Sequence, residues 1–251
     1  IYESGGELIM DKLYIVIPAY NEEENIKNVI EEWYSIVEKY HGGGESRLVI
    51  IDDGSKDNTY QIMKECAKTK PLFIPLTKTN SGHGATVLYG YKYALDKNVD
   101  FVFQTDSDGQ TIPEEFHQFW RERQDYDMVI GWRNTREDGK SRVFVTKVLK
   151  TVIKICFGEN ITDANTPFRL LKTEVLKEYI GYIPNEFNLS NVILSVIYSK
   201  AKCKVKYIPI TFRPRQGGVN SINMSRIFKI GRQALKDFLI INQNLKTICS
   251  E

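Results

Sequence analysis

The sequence predicts an α/β fold, a mostly parallel central sheet with helices on both faces, and three observations predict it. Short apolar runs alternate with longer segments of helical periodicity. Runs such as Leu13-Tyr-Ile-Val-Ile17 and Phe101-Val-Phe103 read as strands buried within a sheet. Two of the runs end in acidic clusters, Asp52-Asp53 and Asp106-Ser-Asp108, which in a parallel sheet fall on the shared carboxyl edge where open α/β sheets bind ligands.

In chain order, the strand Leu13 to Ile17 is closed by Pro18 and followed by Ala19-Tyr20-Asn21-Glu22. From Glu22 the residues Ile26, Val29, Ile30, Trp33, Ile36, Val37 and Tyr40 keep helical spacing, and the glutamates at the start suit the positive end of a helix dipole. After the loop His41-Gly-Gly-Gly44 comes a second buried strand, Arg47 to Ile51, then a helix from about Asn58 to Ala67 and a third strand, Leu72 to Leu76. The turn Asn80-Ser-Gly-His-Gly84 leads into an amphipathic helix carrying Val87, Leu88, Tyr91 and Leu95. Its free backbone N–H groups suit an anion such as a diphosphate, although a glycine-rich turn is also an ordinary way to enter a helix. The strand from Phe101 runs into the acidic cluster, Pro113 to Arg121 reads as a helix, and Asp127 to Gly131 is the next strand, ending in Trp132-Arg133. Beyond it the alternation weakens. Phe144 to Phe157 is helical with a basic side at Arg142, Lys147, Lys150 and Lys154. The polar loop Asp163 to Leu170 leads to a further strand and helix, Val205 to Phe212 is a late strand, and Arg213 to Ser221 is a basic loop. Ile227 to Ile248 is amphipathic.

Length and composition limit the alternatives. A chain of 251 residues with 42% hydrophobic residues supports one sizeable domain, and a net charge of +2 argues against a bulk nucleic-acid binder. The four cysteines, Cys66, Cys156, Cys203 and Cys249, lack metal-ligand spacing and read as thiols in a reducing compartment, hence the cytoplasm. No apolar run is long enough to span a bilayer, and residues 1–9 read as a remnant ahead of Met10, outside the fold.

The segment Phe101 to Gln110 is where the chemistry concentrates. Asp106, Asp108 and Gln110 alternate at a spacing of two, which in extended chain puts three oxygen donors on one face. Such donors suit Mg²⁺ or Mn²⁺, and two carboxylates leave coordination positions free for water and for nucleotide phosphates. The same residues also favour an ordinary turn.

Taken together, Ile17-Pro-Ala-Tyr-Asn-Glu22, Asp52-Asp-Gly-Ser-Lys-Asp57, Asn80-Ser-Gly-His-Gly84, Asp106-Ser-Asp-Gly-Gln110, Gly131-Trp-Arg133, Asp163 with Phe168-Arg169, and the Arg213 to Ser221 loop resemble the inverting family 2 glycosyltransferases of GT-A fold. Within them the resemblance is to the dolichyl-phosphate mannose synthase-like branch. It spans about Leu13 to Ser221 in the family's order. Two departures stand out: the synthases more usually carry Asp-Ala-Asp-Leu-Gln at the acidic cluster, and no transmembrane helices follow here.

The resemblance implies a single catalytic domain over residues 10–251, with a nucleotide-binding half at 10–135 and an acceptor half at 136–251. Pro18, Ala19, Tyr20, Glu22, Asp52 and Asp53 would hold the nucleotide, with Gly82 and His83 beside it. Asp106, Asp108 and Gln110 would face the divalent metal and diphosphate. Arg133, Arg169, Arg213, Arg215 and Ser221 would surround the reacting and acceptor phosphates. The implied activity is metal-dependent transfer of a hexose from a UDP- or GDP-linked sugar to a polyprenyl phosphate. A hydroxyl acceptor would need a base, for which Asp163 is the candidate, whereas a lipid phosphate is already an anion and needs arginines to hold it. A nucleotide-binding module without turnover is the remaining alternative. Apolar faces flanked by Lys and Arg near 142–157 and 225–248 suit either an anionic membrane surface or packing on the core, so the expected place is the cytoplasm, either soluble or peripheral on the cytoplasmic face of a membrane, with or without a membrane-anchor protein.

Overall fold

The computed structural model describes residues 11–133, 140–213, 235, 237–239 and 241–242, with backbone alone for 133 and 140–146. The expected Ile227 to Ile248 helix therefore lies mostly outside the described residues, as do 1–9, Arg215 and Ser221.

Seven strands form one sheet: β1 (Leu13–Ala19), β2 (Arg47–Asp52), β3 (Phe73–Thr77), β4 (Phe101–Gln104), β5 (Met128–Arg133), β6 (Arg169–Lys172) and β7 (Val205–Ile210). Their order is β3-β2-β1-β4-β6-β5-β7. Every neighbouring pair is parallel except the two made by β6, which runs antiparallel to both β4 and β5. Helices α1 (Ile26–Lys39), α2 (Thr59–Ala67), α3 (His83–Asp96), α4 (Phe116–Glu122), α5 (Lys140–Phe157), α6 (Thr173–Tyr179) and α7 (Ser190–Lys200) complete the layers.

The alternation of side chains along a strand explains the two cores. From β1, Leu13, Ile15 and Ile17 join α1 and α4 on one face, where Trp33, Phe103, Phe116 and Phe168 pack with Phe103 at the centre. Tyr14 and Val16 point the other way, into a core shared with α3, α5 and α7. On that face α3 lies so close to the sheet that a Cβ on Gly90 would meet Val16 at 2.3 Å.

Most of the predicted elements are present, with three differences. Helix α1 starts at Ile26, four residues later than the glutamate-rich start suggested, because Asn21 adopts φ 53° and residues 21–23 are tied to the segment after β2. Pro113–Glu115 is a 3-10 turn ahead of α4. Helix α7, buried at nine consecutive residues from Ser190 to Tyr198, is not singled out by the sequence, since a helix enclosed on every side, with Ser190, Asn191 and Ser195 buried among its apolar residues, carries no clear amphipathic period.

Candidate active site

One edge of the sheet gathers the predicted residues. The parallel strands deliver their carboxyl ends there, and the reversed β6 contributes its start, with Arg169 in register with Gln104 on one side and Ile130 on the other. Segments 19–25, 52–59, 77–84, 105–111, 163–168 and 211–213 therefore flank the same edge.

The first two of these segments are laced together. The amide of Asn21 donates to Ser55 Oγ (2.9 Å) while its side-chain oxygen accepts from the Lys56 amide (2.9 Å). Glu22 N donates to Thr59 Oγ1 (2.8 Å) and Asn58 N to Glu23 Oε2 (3.0 Å). Pro18 and Ala19 are buried within β1, Glu22 is buried, and Tyr20 is exposed. Asp52 accepts from Thr77 Oγ1 (2.8 Å) and the Ser55 amide (3.2 Å), so its carboxylate serves the junction of β2 and β3.

Two amides of the glycine-rich turn are occupied from within: Ser81 N and Gly82 N each donate 2.9 Å to the two oxygens of Asp53, whose carboxylate also pairs with Lys78. Burial would raise the Asp53 carboxyl, but Lys78 and the Ser81 amide more than offset it and hold it below its usual range. The glycine itself answers a packing demand. A Cβ on Gly84 would lie 2.4 Å from the carbonyl oxygens of both Phe187 and Asn188, so the 187–188 backbone sits directly on the turn.

The acidic loop at 105–111 is closed and braced. Thr105 and Thr111 hydroxyls meet at 2.9 Å across its base, and the side-chain amide of Asn25 donates 2.7 Å to the Ser107 carbonyl. This bracing leaves the carboxylates of Asp106 and Asp108 half-buried on the loop. Asp108 accepts from the Gln110 amide (3.1 Å), and Asp106 Oδ1 meets His83 Nε2 at 2.9 Å. Desolvation opposes protonation of His83, yet Asp106 with Asp108 and Asp53 raises its pKa; solvent at the half-exposed ring screens the effect. The side chain of Gln110 turns its amide nitrogen to the Arg213 carbonyl (3.2 Å), and Arg213 N donates back to Gln110 O (2.7 Å). That doubly bonded link fixes the start of the basic loop against the acidic one.

The donor set suits a divalent cation that shares its shell with a substrate. Among the described residues no group of three His, Cys, Asp or Glu side chains converges; Asp106 and Asp108 are the carboxylates of this loop that could hold Mg²⁺ or Mn²⁺ together with phosphate and water oxygens.

The arginines separate. Arg169, expected among the reacting phosphates, is fully buried, and its guanidinium is spent on the carbonyls of Ala164, Thr166 and Asn191 and the hydroxyl of Ser195. The FR pair ends the polar loop, and a strand residue facing inward toward α7 cannot also face the edge. Arg213 is half-buried and bonds Glu32 at 3.1 Å. Arg133 closes β5 at the edge by its backbone. Asp163 Oδ1 accepts from the amides of Asn165 and Thr166 (3.2 Å each), shaping its own loop. Residues that the sequence reading missed include Asn25 and Asn188. Asn25 precedes a helical period and signals only a cap, and nothing near Asn188 in sequence announces its contact with the turn.

The chain matches the family model described as Glycosyl transferase family 2 over residues 14–180. The chain belongs to this family. A polyprenol monophosphomannose synthase of Mycolicibacterium smegmatis is 25% identical over 248 residues, covering 88% of this chain and 86% of the relative. A UDP-N-acetylglucosamine–dolichyl-phosphate N-acetylglucosaminyltransferase of Methanococcus voltae is 29% identical over 188 residues, covering 66% and 72%. Among solved structures, glucosyl-3-phosphoglycerate synthase from Mycobacterium tuberculosis, crystallised with Mn²⁺ and UDP-glucose, is similar with a TM-score of 0.66 at 16% identity, over 96% of this chain and 85% of that one. The family 2 chain is a glycosyltransferase of GT-A fold, and the edge just described is its candidate active site.

Proposed function

We propose that this glycosyltransferase moves a hexose from a nucleoside diphosphate sugar to a polyprenyl phosphate, with inversion, at a membrane surface. The observation that supports the lipid acceptor is a set of exposed apolar residues on two packed helical segments, one of which also carries exposed lysines. Val148 and Ile155, one above the other on α5, are exposed, Ile155 at 77%, and Leu235 and Leu239 stand out on a neighbouring helical segment. Beneath them Phe157 packs against Phe238. Lys147, Lys150 and Lys154 are exposed along the same helix. Isolated apolar residues on a surface are ordinary, but four large ones on two packed helical segments with cations alongside suit an anionic lipid interface. No helix among the described residues is long and apolar enough to cross a membrane. The M. smegmatis and M. voltae relatives, by name, use polyprenol and dolichyl phosphate, in line with this reading.

In the proposed reaction the acceptor phosphate oxygen forms a bond to C1 of the sugar as the C1–O bond to the diphosphate breaks. The electron pair leaves with the nucleoside diphosphate, and the product is a glycosyl phosphodiester. Tyr20 and the laced 19–23 and 53–59 segments are proposed to bind the nucleoside. Asp106 and Asp108, braced by Asn25 and the Thr105–Thr111 pair, would hold Mg²⁺ or Mn²⁺, which when bound supplies positive charge to the leaving diphosphate. Arg133 and the loop that begins at Arg213 would orient the acceptor phosphate, which needs no base. A hydroxyl acceptor served by Asp163 is the second reading, favoured by the position of that carboxylate on the loop at the same edge.

The test is a transfer assay with purified protein, a panel of UDP- and GDP-linked hexoses, and either a short polyprenyl phosphate in mixed vesicles or free glycans, each with Mn²⁺, Mg²⁺ or EDTA. The expected result is a metal-dependent phosphodiester product on the lipid only. Transfer to glycans, with none to the lipid phosphate, would replace this reading with the second.

A further inference from the structure

Arg169 is wholly enclosed, and its guanidinium nitrogens are committed to groups within the chain. Nε and Nη2 donate to the Thr166 carbonyl (3.1 and 2.8 Å), Nη2 also to Ala164 O (3.2 Å), and Nη1 to Asn191 O (3.1 Å) and Ser195 Oγ (3.3 Å). Ser195 in turn donates toward Ala164 O (3.1 Å) and Asn191 O (2.9 Å). The fork thus joins the loop before β6 to the first two turns of α7. Among the described residues no ion pair forms with it. Burial lowers its pKa, and Asp163 opposes that only through space.

Enclosing a guanidinium without a carboxylate in contact is costly, and an apolar side chain of similar volume commonly serves a core better. The arrangement makes sense as a device for shaping the loop. Carbonyls of 164 and 166 turned inward toward Arg169 leave the amides of 165 and 166 to bond Asp163, so one side chain sets both sides of the turn. Cross-strand pairing of Arg169 with Gln104 then fixes that turn beside the acidic loop that begins at Thr105. We infer that Arg169 is a positioning residue: it never touches substrate, and it holds the 163–168 loop and the Asp163 carboxylate in the shape the active edge requires. This rests on the edge being the transfer site, as proposed above.

Two variants and two readouts test it. In Arg169→Lys the charge remains, but a single ammonium cannot span both 164/166 and 191/195. We expect amide hydrogen exchange at 164–166 to speed up about tenfold or more while β1 and β4 stay protected. Transfer should fall by roughly 100-fold through kcat, with donor KM unchanged, as a misplaced loop does. Ser195→Ala, which keeps the arginine and removes one tether, should show the same pattern in weaker form and guards against an unfolded lysine variant. A residue holding a phosphate directly gives the opposite result: Lys partly restores transfer, and exchange at 164–166 is unaltered in both variants. That result overturns the inference. Exchange is read on the apo protein, so an absence of transfer in the wild type would count against the proposed function and leave the loop result to decide this one.

Discussion

Replacing Gly84 by alanine separates two jobs for the turn at the start of α3. The new methyl would stand 2.4 Å from the Phe187 and Asn188 carbonyl oxygens and 2.5 Å from the Asn188 carbonyl carbon, where ordinary contact begins at 3.4 Å. Backbone, unlike the tip of a long side chain, cannot step aside alone, so the 187–188 segment must retreat by about 1 Å and take the start of α7 with it. Overpacking of this kind costs about 1–3 kcal/mol. Alanine's better helix propensity returns at most about 1 kcal/mol. At the middle of these ranges the net loss is about 1.5 kcal/mol, which lowers the melting temperature of a chain this long by roughly 3–6 °C. The assay is thermal unfolding by circular dichroism without ligand, repeated with UDP and GDP. If the glycine instead exists so that a diphosphate can approach the backbone, the ligand-free protein melts as before and nucleotide-induced stabilisation disappears. An unchanged ligand-free melting temperature would refute the packing argument.

Asp108→Ala should abolish transfer, with the ligand-free melting temperature unchanged within error; retained turnover would remove that carboxylate from the proposed metal site. Asp53→Asn tests the buried junction by pH. A carboxyl held below its ordinary value near 3.8 stabilises the fold fully above that value and loses the contribution as pH falls through its lower folded value, so wild type should outmelt the variant at neutral pH and converge with it in acid. A constant gap across the whole range would show that the charge is not the cause. Changing Lys147, Lys150 and Lys154 together to glutamate should weaken sedimentation with anionic vesicles, with transfer to a soluble short-chain acceptor retained; undiminished vesicle binding would move the membrane contact elsewhere.

The sequence exposes the sheet because a strand buried on both faces is apolar at every position, as in Leu13 to Ile17, and it exposes α1 because one face of Ile26, Ile30, Trp33 and Val37 is buried. It exposes the acidic loop because an apolar strand that runs straight into Asp106 and Asp108 marks the carboxyl edge of the sheet. It conceals whatever depends on tertiary partners. Whether the Ser81 and Gly82 amides await an anion or already hold one cannot be read locally, since Asp53, 28 residues from Ser81, accepts from both. Arginine in a loop usually reads as surface, and Arg169 departs from that because α7, far along the chain, supplies the carbonyl and hydroxyl that accept it.

The reversed strand explains why these concealed partnerships collect in one place. In an all-parallel sheet only outgoing segments cross the carboxyl edge, and each is tied to the helix that follows it. Reversal of β6 sends an incoming segment, 163–168, across that edge between the ends of β4 and β5. Such a segment has no following helix to set its path before it enters the sheet. Its shape must be imposed sideways, from α7 below through Arg169 and from β5 through the Gly131 amide, which donates 2.7 Å to the Phe168 carbonyl. A loop held from the side in this way can be rigid at its base and still present Asp163 at the edge. The same argument predicts that substitutions in the buried face of α7 at Ser195 disturb the active edge more than equally buried substitutions at Ile193, whose side chain contributes to the core and is not a tether.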